Sequence, residues 1–118
     1  MIGHWHGLVI DTPDPGALAS FYEQVLGMQR LDDGGDWVTI GDAPDRPGLA
    51  FQQAPGLTPP TWPQPQIPQQ MHLDVRVDDL AAAAQEALSL GAQRLPGGND
   101  HCWVFADPAG HPFCLFTM

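Results

Sequence analysis

Leu26-Gly27-Met28-Gln29-Arg30-Leu31 returns as Leu90-Gly91-Ala92-Gln93-Arg94-Leu95, and this pair of hexapeptides decides the fold, because self-similarity within one chain marks a duplicated unit. Upstream of each copy the punctuation is the same. Asp14-Pro15 supplies an N-cap and a first-turn proline, Asp78-Asp79 repeats the cap, and Gly27 and Gly91 stand where a helix ends on a left-handed residue. Between these marks the spacing predicts two helices of about three turns. Leu18, Phe21, Tyr22, Val25 and Leu26 form the expected buried face of the first, and Leu80, Ala84, Ala87 and Leu88 that of the second. Glu23 and Glu86 are expected on the opposite, solvated faces.

A strand precedes each helix. In Met71-His72-Leu73-Asp74-Val75-Arg76-Val77 the odd positions are apolar and the even ones polar, so one side of the strand packs and the other stays open. Gly7-Leu8-Val9-Ile10-Asp11 is the weaker first copy. After each helix three short strands are expected, roughly 28–33, 36–41 and 48–54, then 92–95, 101–106 and 112–118. Asp32-Asp33-Gly34-Gly35 and Asp107-Pro108-Ala109-Gly110 supply turns. The fold class is therefore α+β, two βαβββ modules at about 1–54 and 69–118 in a single domain. The proline-rich stretch at about 55–68 joins them as a semi-rigid connector, with Trp62 and Ile67 expected to lie against the folded body.

Composition removes several chemistries. The 118 residues suit one domain, and the net charge of −10 repels nucleic acid and anionic membrane surfaces. There is no apolar run long enough to span a bilayer and no signal-peptide pattern, so a soluble cytoplasmic protein is expected. Without lysine, Schiff-base catalysis and a phosphate-gripping loop lysine are both excluded. The two serines, Ser20 and Ser89, lie in helical patterns that suit no nucleophile. Cys102 and Cys114 make no paired-thiol motif and are taken as small core residues.

The duplicated unit carries Asp14…Phe21-Tyr22…Leu26-Gly27 in its first copy. The second carries His72-Leu73-Asp74…Asp78-Asp79-Leu80…Leu90-Gly91-Ala92, then Asp107-Pro108-Ala109-Gly110-His111-Pro112-Phe113. In this it resembles the vicinal oxygen chelate superfamily of glyoxalase, bleomycin-resistance and extradiol dioxygenase proteins, most closely its small glyoxalase-like members. The resemblance implies two four-stranded half-barrel sheets around an open cleft, and a homodimer. In metal-dependent members the first and last strands of each unit carry ligands, usually histidine or glutamine and then glutamate. Carried over, these positions are Gly7, His72, Cys114, and Ala50 or Gln52. His72 alone is a good ligand, and both glutamates sit on helices. His4 and His6 would restore a ligand only in a shifted register.

The expected ligand-binding residues are His72, Asp74, Gln52, Cys114, Trp37 and Arg76. His72 and Asp74 stand about 7 Å apart on one strand face, where a carboxylate would orient the imidazole as a proton shuttle or ligand contact, or the two would simply satisfy each other. Cys114 packs, or becomes a nucleophile if His72 lowers its pKa. Trp37, Trp62 and Trp103 with Phe51 would line an aromatic cleft, although for Trp103 core packing is the preferred reading. The expected function is small-molecule binding with no cofactor and no metal of the family's usual kind. Two alternatives stay open: a divalent-metal-dependent lyase or isomerase using His72 and unorthodox partners, and an interaction module with a vestigial cleft.

Overall fold

The computed structural model describes residues 1–118, which divide into two compact units, Met1–Leu57 and Thr58–Met118. Unit 1 runs β1 (Leu8–Thr12), α1 (Pro15–Leu26), β2 (Gln29–Asp33), β3 (Trp37–Ala43) and β4 (Arg46–Gln53). Unit 2 repeats the order as β5 (Leu73–Arg76), α2 (Leu80–Ser89), β6 (Gln93–Arg94), β7 (Cys102–Ala106) and β8 (Pro112–Phe116). The sheets are ordered β1-β4-β3-β2 and β5-β8-β7-β6, each with one parallel pair, β1 with β4 and β5 with β8. No helix is long and apolar enough to cross a membrane.

The caps form as the sequence requires. Asp14 accepts from the Ala17 N–H at 3.1 Å and Asp79 from the Ala82 N–H at 3.0 Å, each meeting an orphan donor of the first turn. Gly27, at φ 68°, ends α1 in the left-handed conformation that glycine adopts without a Cβ penalty. α1 buries Leu18, Ala19, Phe21 and Tyr22, and Tyr22 stacks on Phe51 of β4 at 5.9 Å between ring centroids. The core of unit 2 is built on Phe105 and Phe113, direct cross-strand partners whose rings stack at 5.6 Å.

Several expectations are corrected. β3 and β4 run further than expected, to a two-residue turn at Pro44-Asp45 that pairs Ala43 with Arg46. The extension bulges at Gly41, where a Cβ would stand 2.8 Å from the Pro47 Cα and force the strands apart. β6 keeps only two residues of the expected four. Leu88 is 41% exposed, because three small or leucine positions, Leu80, Ala84 and Ala87, already fill the α2 contact. Glu23 is not on a free solvated face but half-buried, 2.8 Å from the Arg30 guanidinium, which also reaches Asp33 at 3.0 Å. Phe51 is fully buried under Tyr22 and lines no open surface. Trp103 is only half-buried, since Arg94 rather than a helix covers it, with the guanidinium 4.2 Å from its ring centroid.

Trp62 does lie down. Its indole N–H donates to the Pro96 carbonyl at 2.6 Å, and Thr61 and Ile67 close the loop between them with a backbone bond of 2.8 Å. In urea denaturation, Phe51→Ala is expected to cost about 3–5 kcal/mol through the cavity it leaves, and Asp79→Ala, which removes only a cap, about 1 kcal/mol.

Candidate functional site

Each sheet commits one face to its core, so strand alternation hands the intervening residues to the other face. In unit 2, Phe113 and Leu115 are buried beside Phe105, while Cys114 pairs with Asp74 on one side and Val104 on the other. His72, directly before β5, and Arg76, at its end, share the face of Asp74. The imidazole Nε2 of His72 is 3.4 Å from Asp74 Oδ1, and both side chains are exposed, at 40% and 61%. The ligand atoms of His72, Asp74 and Cys114 all lie within 4.8 Å of one another. Three of the expected residues are thus brought together, and Arg76 extends their row.

Trp37 and Gln52 belong to unit 1, where they are direct cross-strand partners on the face away from Phe51. The Trp37 indole donates to Thr39 Oγ1 at 3.2 Å, and Trp37 and Val9 are exposed apolar residues of that unit. His4 and His6 are exposed and precede the first strand. His101 is exposed, and His111 closes the Asp107 turn with its backbone N–H 3.0 Å from Asp107 Oδ1.

Sequence reasoning missed Cys102, taken as a core residue. It is half-buried and within hydrogen-bonding reach of Cys114. Counting outward from the Asp107-Gly110 turn carries the signal: Ala106 opposite Pro112 puts Val104 opposite Cys114, and Cys102 shares that face. The surroundings push the Cys114 thiol up to about 12: burial first, then the Cys102 sulfur by charge and hydrogen bond, then Asp74 by the same two routes. At neutral pH Cys114 is therefore a protonated thiol, and His72 does not make it a thiolate nucleophile.

Residues 7–116 match the glyoxalase-like domain family. The chain belongs to that family. Among solved structures, glyoxalase-like relatives share the fold of this protein at low identity. A glyoxalase/bleomycin resistance protein/dioxygenase family enzyme from Burkholderia phytofirmans PsJN superposes at TM-score 0.71 with 18% identity, covering 95% of this chain and 96% of its own. The fosfomycin resistance protein FosX from Mesorhizobium loti gives 0.70 and 18%, covering 100% and 93%. A FosX mutant from Listeria monocytogenes, complexed with Mn(II) and 1S,2S-dihydroxypropylphosphonic acid, gives 0.71 and 15%, covering 99% and 93%. No curated protein sequence matches.

The donors that unit 2 brings together do not suit manganese. Manganese favours carboxylate, carbonyl and water oxygens, whereas unit 2 offers a thiol between an imidazole and a single carboxylate. In unit 1, Ala50 pairs with Val9 as Cys114 pairs with Asp74, and Gly7 precedes the strand as His72 does, so none of these counterparts supplies a donor. Glu23, on α1, is held by Arg30 of β2, and Glu86 lies on α2.

With burial and its neighbours pushing its thiol up to about 12, Cys114 is expected to stay unlabelled by iodoacetamide at pH 8 in the folded protein. Asp74→Asn, which removes one cause of the upward shift, should bring labelling to lower pH, read by peptide mass mapping.

Proposed function

We propose that the protein binds a small molecule on the open sheet face of unit 2, in the manner of glyoxalase/bleomycin-resistance-like proteins, without the metal site usual in the family. The observation that carries this reading is the exposed row His72, Asp74 and Arg76 beside Cys114, on the face the core does not use. Such a row offers a ligand a switchable imidazole, an acceptor carboxylate and a guanidinium fork within one strand. Binding sites pair a few placed polar groups with apolar surface, and Phe116, half-buried on β8 opposite Arg76, supplies some here. The net charge of −10 favours cationic ligands over anionic ones at long range.

The test is a thermal-shift screen of chelator-treated protein led by cationic aromatic compounds, with affinities of hits measured by calorimetry. His72→Ala is expected to weaken a hit by about tenfold, equivalent to ~1.4 kcal/mol, with little change in the melting temperature of the free protein, since the side chain is exposed. Equal affinity in the variant would place the ligand elsewhere. Trp37→Ala probes the separate aromatic surface of unit 1 in the same assay.

A further inference from the structure

We propose that Cys102 and Cys114 form a reversible intramolecular disulfide on reaction with a low-molecular-weight disulfide such as oxidised glutathione, so that the open face of unit 2 carries a redox modification site. The bond rests on the strand geometry. Only its bearing on ligand binding rests on the reading of that face as the ligand site.

The ladder sets the two thiols together. The Thr117 N–H donates to the His101 carbonyl and the Asp107 N–H to the His111 carbonyl, each at 2.9 Å. Odd-numbered residues of β7 and β8 therefore form the hydrogen-bonded pairs and even-numbered ones the other kind, whose side chains approach more closely. Cys102 pairs with Phe116 and Cys114 with Val104, which makes the two cysteines diagonal neighbours on one face. The right-handed twist of the strands draws that diagonal together. Both thiols are free, and they stand within hydrogen-bonding reach of each other. A disulfide needs Cβ atoms about 3.8 Å apart, closer than diagonal partners stand at rest, so the bond draws one strand end inwards. Cys102 is the residue placed to move: it opens β7, after a loop in which Gly97 and Gly98 take positive φ. Cys114 is fixed between buried Phe113 and Leu115. The strain that remains makes the bond easy to reduce, which suits a reversible link rather than a structural one.

Exposure decides the order of reaction. Cys102 is half-buried and Cys114 buried, so the Cys102 sulfur meets the small disulfide first. It attacks one sulfur of oxidised glutathione and forms a mixed disulfide, and the first glutathione leaves with the Cys102 proton. Cys114 then attacks the Cys102 sulfur and the mixed disulfide breaks. The second glutathione leaves with the Cys114 proton, passed through the Asp74 carboxylate beside it. Two protein thiols are oxidised to one disulfide, and one glutathione disulfide is reduced to two thiols. The face thereby loses the S–H donor next to Asp74, and the Cys114 sulfur is tied to β7 instead of turning freely towards His72.

The experiment uses the full chain, reduced, freed of reductant and incubated without oxygen in oxidised glutathione, then quenched in acid and digested without reductant for peptide mass mapping. Expected are a monomer about 2 Da lighter than the reduced chain, since two hydrogens leave, a linked Cys102–Cys114 peptide, and the return of both thiols on adding dithiothreitol. Cys114→Ser should stop with one glutathione on Cys102. Cys102→Ser, a change at a half-buried position that should leave circular dichroism unchanged, should stay unmodified over the same exposure because its remaining thiol is buried. The proposal is overturned by a wild-type chain that keeps two free thiols, by a glutathione adduct that persists on wild-type Cys102, by links formed only between chains, or by glutathione on Cys114 in the Cys102→Ser variant. For any hit of the thermal-shift screen, the oxidised chain should bind about tenfold more weakly, with dithiothreitol restoring the affinity. Equal affinity overturns the coupling to ligand binding and leaves the mapped bond standing, whereas a missing bond overturns the proposal whether or not a ligand is found.

Discussion

The helix-on-sheet contact is the constraint from which the rest follows. Tyr22 of α1 lies flat on Phe51 of β4, at 9° between ring planes, and in unit 2 Phe105 and Phe113 stack within the sheet. Each large ring of this kind buries on the order of 150–250 Å², far more than any polar residue on the same strand can regain by exchanging places. Register is thereby locked, because a slip of one residue would turn every core side chain outward and every polar one inward. His72, Asp74 and Cys114 meet because Leu73, Val75, Phe113 and Leu115 are held on the other side.

The same alternation explains why the fold was legible and the site only partly so. The hexapeptide repeat, the aspartate caps and the period-two pattern from Met71 to Val77 are local signals, and each maps onto an element in the structure. Strand ends were less legible because they depend on pairing: the Ala43-Arg46 turn exists only once β3 and β4 are in register. Trp103 was misjudged for a similar reason. Its face was read correctly, beside Phe105, but what covers that face is the Arg94 side chain, and a guanidinium over a ring cannot be inferred from one strand.

Charge is distributed in a way the composition alone conceals. With four arginines against fourteen acids, most carboxylates have no cation to meet, so aspartates are used as hydrogen-bond acceptors instead. Asp14 and Asp79 cap helices, Asp33 accepts from Gly35, and buried Asp107 holds the turn through Ala109 and His111. Backbone N–H groups perform the neutralising work that lysines do elsewhere. Glu23 and Asp33 both pair with Arg30, and the Glu23 pair ties α1 to β2.

Duplication makes the asymmetry of the two units informative. The backbone plan is the same, and Ala50 and Cys114 occupy like positions against Val9 and Asp74. Yet the open face of unit 1 carries Val9, Ala50 and Trp37 with Asp11 and Gln52, where that of unit 2 carries a thiol, a carboxylate and an imidazole. Burial first, then Cys102 and the Asp74 carboxylate, hold the Cys114 thiol in its protonated form, so that face presents a neutral S–H donor beside a carboxylate acceptor. Hydrophobic side chains at Asp74 and Cys114, like those at Val9 and Ala50, would serve the sheet as well or better. One backbone plan thus carries two chemistries, a thiol and an imidazole on the open face of unit 2 and an indole and an amide on that of unit 1.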